Sequence, residues 1–273
     1  MQYIIIILIT VMLYLIYDAN RIKIVKYDIA SDKLPKEFAG YKILQISDLH
    51  GKQYGKNNEK LIYKINNENP DIVVMTGDMS NYNFKKLEPF YKFIEQISKT
   101  HKVIYVLGNQ EKGYSYEKLK QYKVKISSYG VVFLNNEKYI IKKDNKKIII
   151  YGMNYKYNMY LEPNTINEKD KNYNLLLKDM GNLDKNEYNI FLTHDASNFE
   201  TYAKWGADLT FAGHLHGGMI RILGIGLLSP KREFFPKYSK GKYMIDNLTL
   251  ISNTGLGKLR IFNPPEIIIT QFK

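Results

Sequence analysis

Short apolar runs of strand length recur along this chain, and several of the stretches between them are long enough to hold a helix. After IKIVKYDI (22–29), which alternates as a strand does, come YKILQIS (41–47), DIVVMTG (71–77), KVIYVLG (102–108), KKIIIYG (146–152), YNIFLTH (188–194), DLTFAG (208–213) and LTLISN (248–253). Between them, KNNEKLIYKINNENP (56–70) and KLEPFYKFIEQISK (86–99) read as crossover helices, the first closed by Pro70. LPKEFAG (34–40) reads as a turn leading into the next strand. Continuous apolar runs joined by helices predict an α/β fold whose sheet is covered on both faces. The helical connections fade after His214, where GIGLLSPKREFFPKYSKGKY (224–243) reads as a long loop or hairpin. No repeat or linker marks a second domain, and 273 residues suit one large domain with a sizeable core.

The ends of these runs carry the chemistry. The 41–47 run leads into Asp48 and His50, the 71–77 run into Asp78, and the 102–108 run into Asn109. The 188–194 run ends in His194, and the 208–213 run is followed by His214 and His216. The chain has five histidines, and four of them stand at carboxyl ends of predicted strands. That edge is where ligands bind in an open α/β sheet. Residues two apart in extended chain point the same way, so Asp48 with His50, and His214 with His216, each offer a pair of ligands. Carboxylate, imidazole and amide carbonyl suit borderline divalent ions such as Mn, Fe, Zn or Co. Seven ligands exceed the needs of one ion and suit two, with one carboxylate bridging. Neighbouring glycines (Gly77, Gly108, Gly213, Gly217) allow tight turns and close backbone approach. The fifth histidine, His101, precedes its strand and reads as an ordinary surface or core residue.

The order of these motifs, SDLHG, GD, GN, H and GHLHGG, followed by the tail GLGKLRIFNPPEI, resembles that of the calcineurin-like metallophosphoesterases. The resemblance runs from about Leu34 to the C-terminus and looks closest to a small, membrane-associated bacterial branch of phosphodiesterase-like proteins. It implies a four-layer αββα sandwich over residues 20–273 and a dinuclear centre that hydrolyses phosphate mono- or diesters with metal-activated water. Carried over residue by residue, it implies Asp48, His50 and His216 on the first metal, Asn109, His194 and His214 on the second, and Asp78 between them. Asn109 and the residue after it would also belong to the catalytic groups. At that next position the family has histidine, thought to protonate the leaving oxygen or stabilise the transition state, whereas this chain has Gln110, followed by Glu111. Glutamine donates a hydrogen bond but delivers no proton at neutral pH. Met219 likewise stands where glutamine is expected.

The N-terminus sets a second constraint. Residues 3–17, YIIIILITVMLYLIY, carry no charge, and residues 1–19 as a helix reach about 28 Å, close to the hydrocarbon thickness of a bilayer. A basic start and a small-residue exit, which a cleaved signal peptide would want, are not evident, so residues 1–19 are expected to be an uncleaved anchor. Arg21, Lys23 and Lys26 follow it, which places the catalytic body on the cytoplasmic side of the cell membrane.

Composition narrows the partners. The absence of cysteine excludes disulfides, thiolate metal sites and cysteine nucleophiles. The formal charge of +13 comes almost wholly from lysine. Base-edge reading favours arginine, so no specific nucleic-acid partner is expected, while diffuse lysine suits anionic lipid or a phosphorylated, lipid- or nucleotide-derived substrate. A nuclease or RNA-binding reading rests on charge alone, without an aromatic-basic signature. Phe234 and Phe235, among Lys231, Arg232 and Lys237, suit a lipid interface, although a hairpin with inward-packed aromatics is the plainer expectation. Two functional readings follow: a membrane-anchored metal-dependent phosphoesterase, or a catalytically weakened metal-binding relative, altered at Gln110, that serves as a binding or scaffold protein.

Overall fold

The computed structural model describes residues 1–81, 87–155, 166–257 and 260–273, with the backbone alone at 166–170. The N-terminal run forms helix α1 (Gln2–Asn20), long and apolar enough to cross a membrane, with Asp18 its only buried side chain. Strand β1 (Lys23–Ile29) and a 3₁₀ turn at Lys36–Phe38 follow, the latter at the turn read from LPKEFAG. Then come β2 (Lys42–Ile46), α2 (Glu59–Glu68), β3 (Ile72–Met75), α3 (Glu88–Thr100) and β4 (Lys102–Tyr105). A single-turn helix α4 (Asn109–Lys112), α5 (Tyr116–Ser127) and β5 (Val132–Phe133) complete this half.

The second half holds β6 (Glu137–Lys143), β7 (Lys146–Gly152), α6 (Ile166–Met180), β8 (Tyr188–Asp195), α7 (Phe199–Trp205) and β9 (Leu209–Gly213). The hairpin β10 (Ile220–Ile222) and β11 (Ile225–Leu228) leads to β12 (Gly241–Ile245) and β13 (Leu248–Ser252), and β14 (Glu266–Phe272) ends the chain.

Two six-stranded sheets result, ordered β1-β14-β2-β3-β4-β5 and β12-β13-β9-β8-β7-β6. The one sheet expected from the run pattern is thus two, as the family resemblance implied. The physical reason lies in alternate residues of each run. Ile43, Val74 and Ile104 face Ile150, Ile190 and Phe211 of the other sheet. Their neighbours Leu44, Val73 and Tyr105 face Leu61 of α2, Phe93 of α3 and Tyr122 of α5. Across the molecule, Ile149 and Phe191 pack against Leu176 of α6 and Trp205 of α7. Both faces of every central strand are buried and mostly apolar, but one partner is a helix and the other a sheet. The layers therefore run helix, sheet, sheet, helix.

All eight runs named above form strands. Strand β14 was not foreseen; it inserts between β1 and β2, parallel to the first and antiparallel to the second. The 224–243 stretch contributes β11 and the start of β12. Phe234 and Phe235 do not pack inward: they are 76% and 66% exposed. Two residues of the GLGKLRIFNPPEI tail, 258 and 259, lie outside the described residues.

Candidate metal centre

The ends of β2, β3, β4, β8 and β9 bring Asp48, His50, Asp78, Asn109, His194, His214 and His216 to the junction of the two sheets. Parallel β2, β3 and β4 direct three loops to one edge, and β8 and β9 do the same from the other sheet. The loops are tied backbone to backbone: Asp48 N–H donates to Gly77 O at 3.0 Å, and His50 N–H to Asp78 O at 3.0 Å. Gly77 has a φ of +94°, and a Cβ there would lie 2.6 Å from both the Gly108 backbone and His194 Nδ1. Only glycine lets these loops pass so closely.

Asp48, His50 and His216 form one group, and Asp78, His194 and His214 another. Within the first, His216 Nε2 lies 3.1 Å from Asp48 Oδ1 and 3.1 Å from His50 Nε2. Within the second, His194 Nε2 lies 3.4 Å from Asp78 Oδ2 and 3.0 Å from His214 Nδ1. Asn109 Oδ1 reaches the same His194 Nε2 at 3.0 Å. Asp78 Oδ2 is also 3.8 Å from His50 Nε2, so this carboxylate stands between the groups.

The pairing of ligands does not follow the extended-chain argument. Asp48, His50, Asp78, His214 and His216 all have φ between 49° and 71°, the left-handed region that non-glycine residues seldom occupy. His214 and His216 consequently serve different groups. Convergence comes from strained turns, held by packing around them, and not from the pleat of a strand.

Donor chemistry fits cations. His194 Nδ1 donates to Thr76 O at 2.7 Å, which turns the Nε2 lone pair into the cluster. Facing imidazole nitrogens at 3.0–3.1 Å, with two carboxylates beside them, lack enough protons to satisfy every lone pair. Burial works against the charge of Asp48, but His216, His194 and His50 hold its carboxyl far below the usual range. Burial and the neighbouring His216 push His50 down to about 4. Burial likewise lowers His214 to about 4, with His194 and Lys231 adding to the effect and Asp195 opposing it. His194 goes the other way, to about 10: burial opposes its charging, but Asp78 and Asp48 outweigh it. The cluster thus attracts positive charge to the point where a proton or metal ion must sit among its carboxylates.

Further residues support the centre, and the sequence reading assigned them no role. The buried Glu111 carboxylate accepts from Asp78 N–H (2.9 Å), Gly108 N–H (3.0 Å), Ser80 N–H (3.0 Å) and Tyr105 O–H (2.9 Å). It clamps the two loops that carry Asp78 and Asn109. Its position directly after Asn109 and Gln110 was the available signal. Asp195, next to His194, is buried 3.8 Å from His214 Nε2 and accepts from Lys231 Nζ at 2.7 Å. Burial raises the Asp195 carboxyl, but His214 and Lys231 together bring it down to about 2. His214 Nε2 has no hydrogen-bond partner among the described residues, and the charge of Asp195, 3.8 Å away, favours a proton on that nitrogen, leaving Nδ1 open toward His194.

Asp195→Asn should weaken divalent-ion binding at the His214 group about 10- to 100-fold, the usual effect of removing a ligand's outer partner. Calorimetric titration with Mn²⁺ checks it; two sites of unchanged affinity would show that Asp195 does not orient His214. Gln110 sits at the start of α4, its backbone N–H donating to Asp78 Oδ1 at 2.8 Å. His101 lies away from the centre and bonds Pro70 O and Asn66 Oδ1, as its structural reading expected.

The calcineurin-like phosphoesterase family matches residues 41–218. An uncharacterized metallophosphoesterase of Aquifex aeolicus is 26% identical over 257 residues, covering 92% of this chain and 92% of its own length. The uncharacterized metallophosphoesterase YkuE of Bacillus subtilis is 24% identical, covering 94% of this chain and 87% of its own. A transmembrane protein with a metallophosphoesterase domain from Danio rerio is 26% identical over 99 residues, covering 36% of this chain and 23% of its own.

Proposed function

The chain belongs to the calcineurin-like phosphoesterase family and is a metal-dependent phosphoric ester hydrolase, and from that premise we propose a dinuclear enzyme working at a membrane on phosphate mono- or diesters. Asp48, His50 and His216 hold one divalent ion, and Asn109, His194 and His214 the other. Asp78 bridges them. The observation that carries this reading is the place of Asp78 Oδ2, 3.8 Å from His50 Nε2 and 3.4 Å from His194 Nε2. When bound, two divalent ions supply an activated water and neutralise charge on the phosphoryl oxygens. Asp48 and Asp78, buried and ionised, keep the ligand histidines oriented, and the amide of half-buried Gln110 donates a hydrogen bond toward the leaving oxygen. The substrate is a phospholipid-like or nucleotide-like ester. Among the ions that suit this donor set, Mn, Fe, Zn and Co are the candidates.

In this reading α1 crosses the bilayer and Arg21, Lys23 and Lys26 keep the body in the cytoplasm. Nearly every large apolar side chain of α1 is exposed. At roughly 1.5–3 kcal/mol of unrealised burial for each, the total exceeds the ~5–15 kcal/mol that stabilises a whole domain, so α1 needs an apolar environment. The zebrafish relative, a transmembrane protein with a metallophosphoesterase domain, supports a membrane-spanning α1.

Detergent-purified full-length protein should lose its activity on bis-p-nitrophenyl phosphate and p-nitrophenyl phosphate to a chelator and regain it with one of the four ions. Failure with every ion on both esters would overturn the enzymatic reading. Two bound ions without any turnover would favour the second one, a weakened scaffold, which the glutamine at position 110 recommends. In membranes the chain should stay in the pellet after carbonate extraction, and its release would refute the anchor.

A further inference from the structure

An exposed apolar ribbon lies beside the foot of α1. The hairpin β10–β11 pairs Ile222 with Ile225 and turns through Leu223 and Gly224, both with positive φ (49° and 83°). Two-residue turns of this kind favour Asn-Gly, since a bulky side chain is strained there and faces water. Here Leu223 holds the first position and is 97% exposed. Along one edge of the ribbon, Phe235 N–H donates to Leu227 O at 3.1 Å, bringing Phe234 and Phe235 against β11. Along the other, Arg221 N–H donates to Ile261 O at 3.0 Å, bringing Phe262 against β10. Phe235 and Phe262 are exposed as well, each with a φ of 52°. Three bulky apolar residues therefore occupy left-handed backbone positions at the surface, where small polar residues would be less strained and better solvated.

The ribbon is continuous with the anchor. The Phe262 ring lies 6.2 Å from that of Tyr14 in α1. Tyr14 stands six residues before the helix end at Asn20, about 9 Å along the axis at 1.5 Å per residue. The helix is tied to the body at that end, where Lys52 Nζ donates to Ala19 O at 2.5 Å. A bilayer that contains α1 thus extends along the helix as far as Phe262 and beyond it toward Asn20. Arg232, exposed, stands beside Phe234 and Phe235 with positive charge that suits anionic headgroups, while Lys237 is paired with Glu200 at 2.6 Å.

We propose that this ribbon is a second, shallow membrane contact, with Ile222, Leu223, Ile225, Phe234, Phe235 and Phe262 seated in the headgroup layer of an anionic bilayer. The inference rests on the reading of α1 as a membrane span. It holds the body in a fixed orientation, with β10, which starts four residues after His216, at the bilayer surface.

The chain has no cysteine, so single substitutions place a spin label in the full-length protein. Ile9→Cys reports on α1, Leu223→Cys and Phe234→Cys on the ribbon, and Asn145→Cys on the exposed start of β7, at the sheet edge opposite the ligands. In vesicles of phosphatidylcholine and phosphatidylglycerol, labels at 9, 223 and 234 should collide with oxygen in preference to an aqueous nickel chelate. Their chelate accessibility should be severalfold below that of the label at 145. A lipid-exposed label at 9 with labels at 223 and 234 as aqueous as that at 145 would overturn the proposal and leave the anchor standing. An aqueous label at 9 would overturn the anchor reading, and the proposal with it.

Discussion

Asp78→Ala is expected to remove most of both bound ions, from about two equivalents to well below one, in elemental analysis of the purified protein. Its Oδ2 faces His194 of one group and His50 of the other, so a single truncation opens both coordination shells. The loop itself should survive. The bonds that hold it, from Asp78 N–H to Glu111 and from His50 N–H to Asp78 O, use backbone atoms that alanine retains. The 2.8 Å bond from Gln110 N–H to Oδ1 and the 3.4 Å contact of Oδ2 with His194 Nε2 are lost with the carboxylate. Loss of the ions' charge stabilisation, about 4 kcal/mol, corresponds to roughly a thousandfold in turnover. Metal-free wild type and variant should unfold at similar temperatures, which separates a lost ligand from a lost fold. One retained ion, or two, would refute the bridging role.

Gln110→His should raise turnover of alkyl phosphate esters by about 10²–10⁴-fold, the usual contribution of a general acid, and change nitrophenyl esters far less. In the proposed mechanism the wild-type side chain would hydrogen-bond a leaving oxygen, but it has no proton to transfer at neutral pH. An alkoxide must then depart unprotonated, and the penalty grows with its pKa, whereas nitrophenolate leaves readily. A histidine there would stand at the start of α4, on a backbone fixed by the bond from its N–H to Asp78 Oδ1 and by the Glu111 clamp. The measurement is a series of esters of graded leaving-group pKa. Rates should fall steeply with pKa in the wild type and flatten in the variant. A flat wild-type dependence would mean that another group already supplies the proton, with Lys231 excluded as a first choice because its ammonium is paired to Asp195 at 2.7 Å.

Much of this protein was legible from residue order. Apolar runs marked eight strands because the strands at the centre are buried on both faces, where the few polar residues, such as Gln45 and Asn189, must find hydrogen-bond partners. The proposed ligands Asp48, His50, Asp78, Asn109, His194, His214 and His216 could be picked out for the converse reason. Polar ligands at the ends of apolar runs are rare unless something there binds them. Residues 1–19 declared an apolar helix by length and composition alone.

Other features required the folded chain. Whether a doubly buried run packs on helices or on a second sheet is invisible in its composition, since Leu44 and Ile43 look alike while one meets α2 and the other the opposite sheet. The insertion of β14 between β1 and β2 joins residues more than two hundred positions apart, and only the completed sheet selects that pairing. The division of His214 and His216 between two groups, which the family resemblance implied, is produced by left-handed turns that spacing does not encode. Glu111 and Asp195 acquired their roles from what surrounds them in space: a buried carboxylate is stable only where donors converge, and that convergence is a property of tertiary structure.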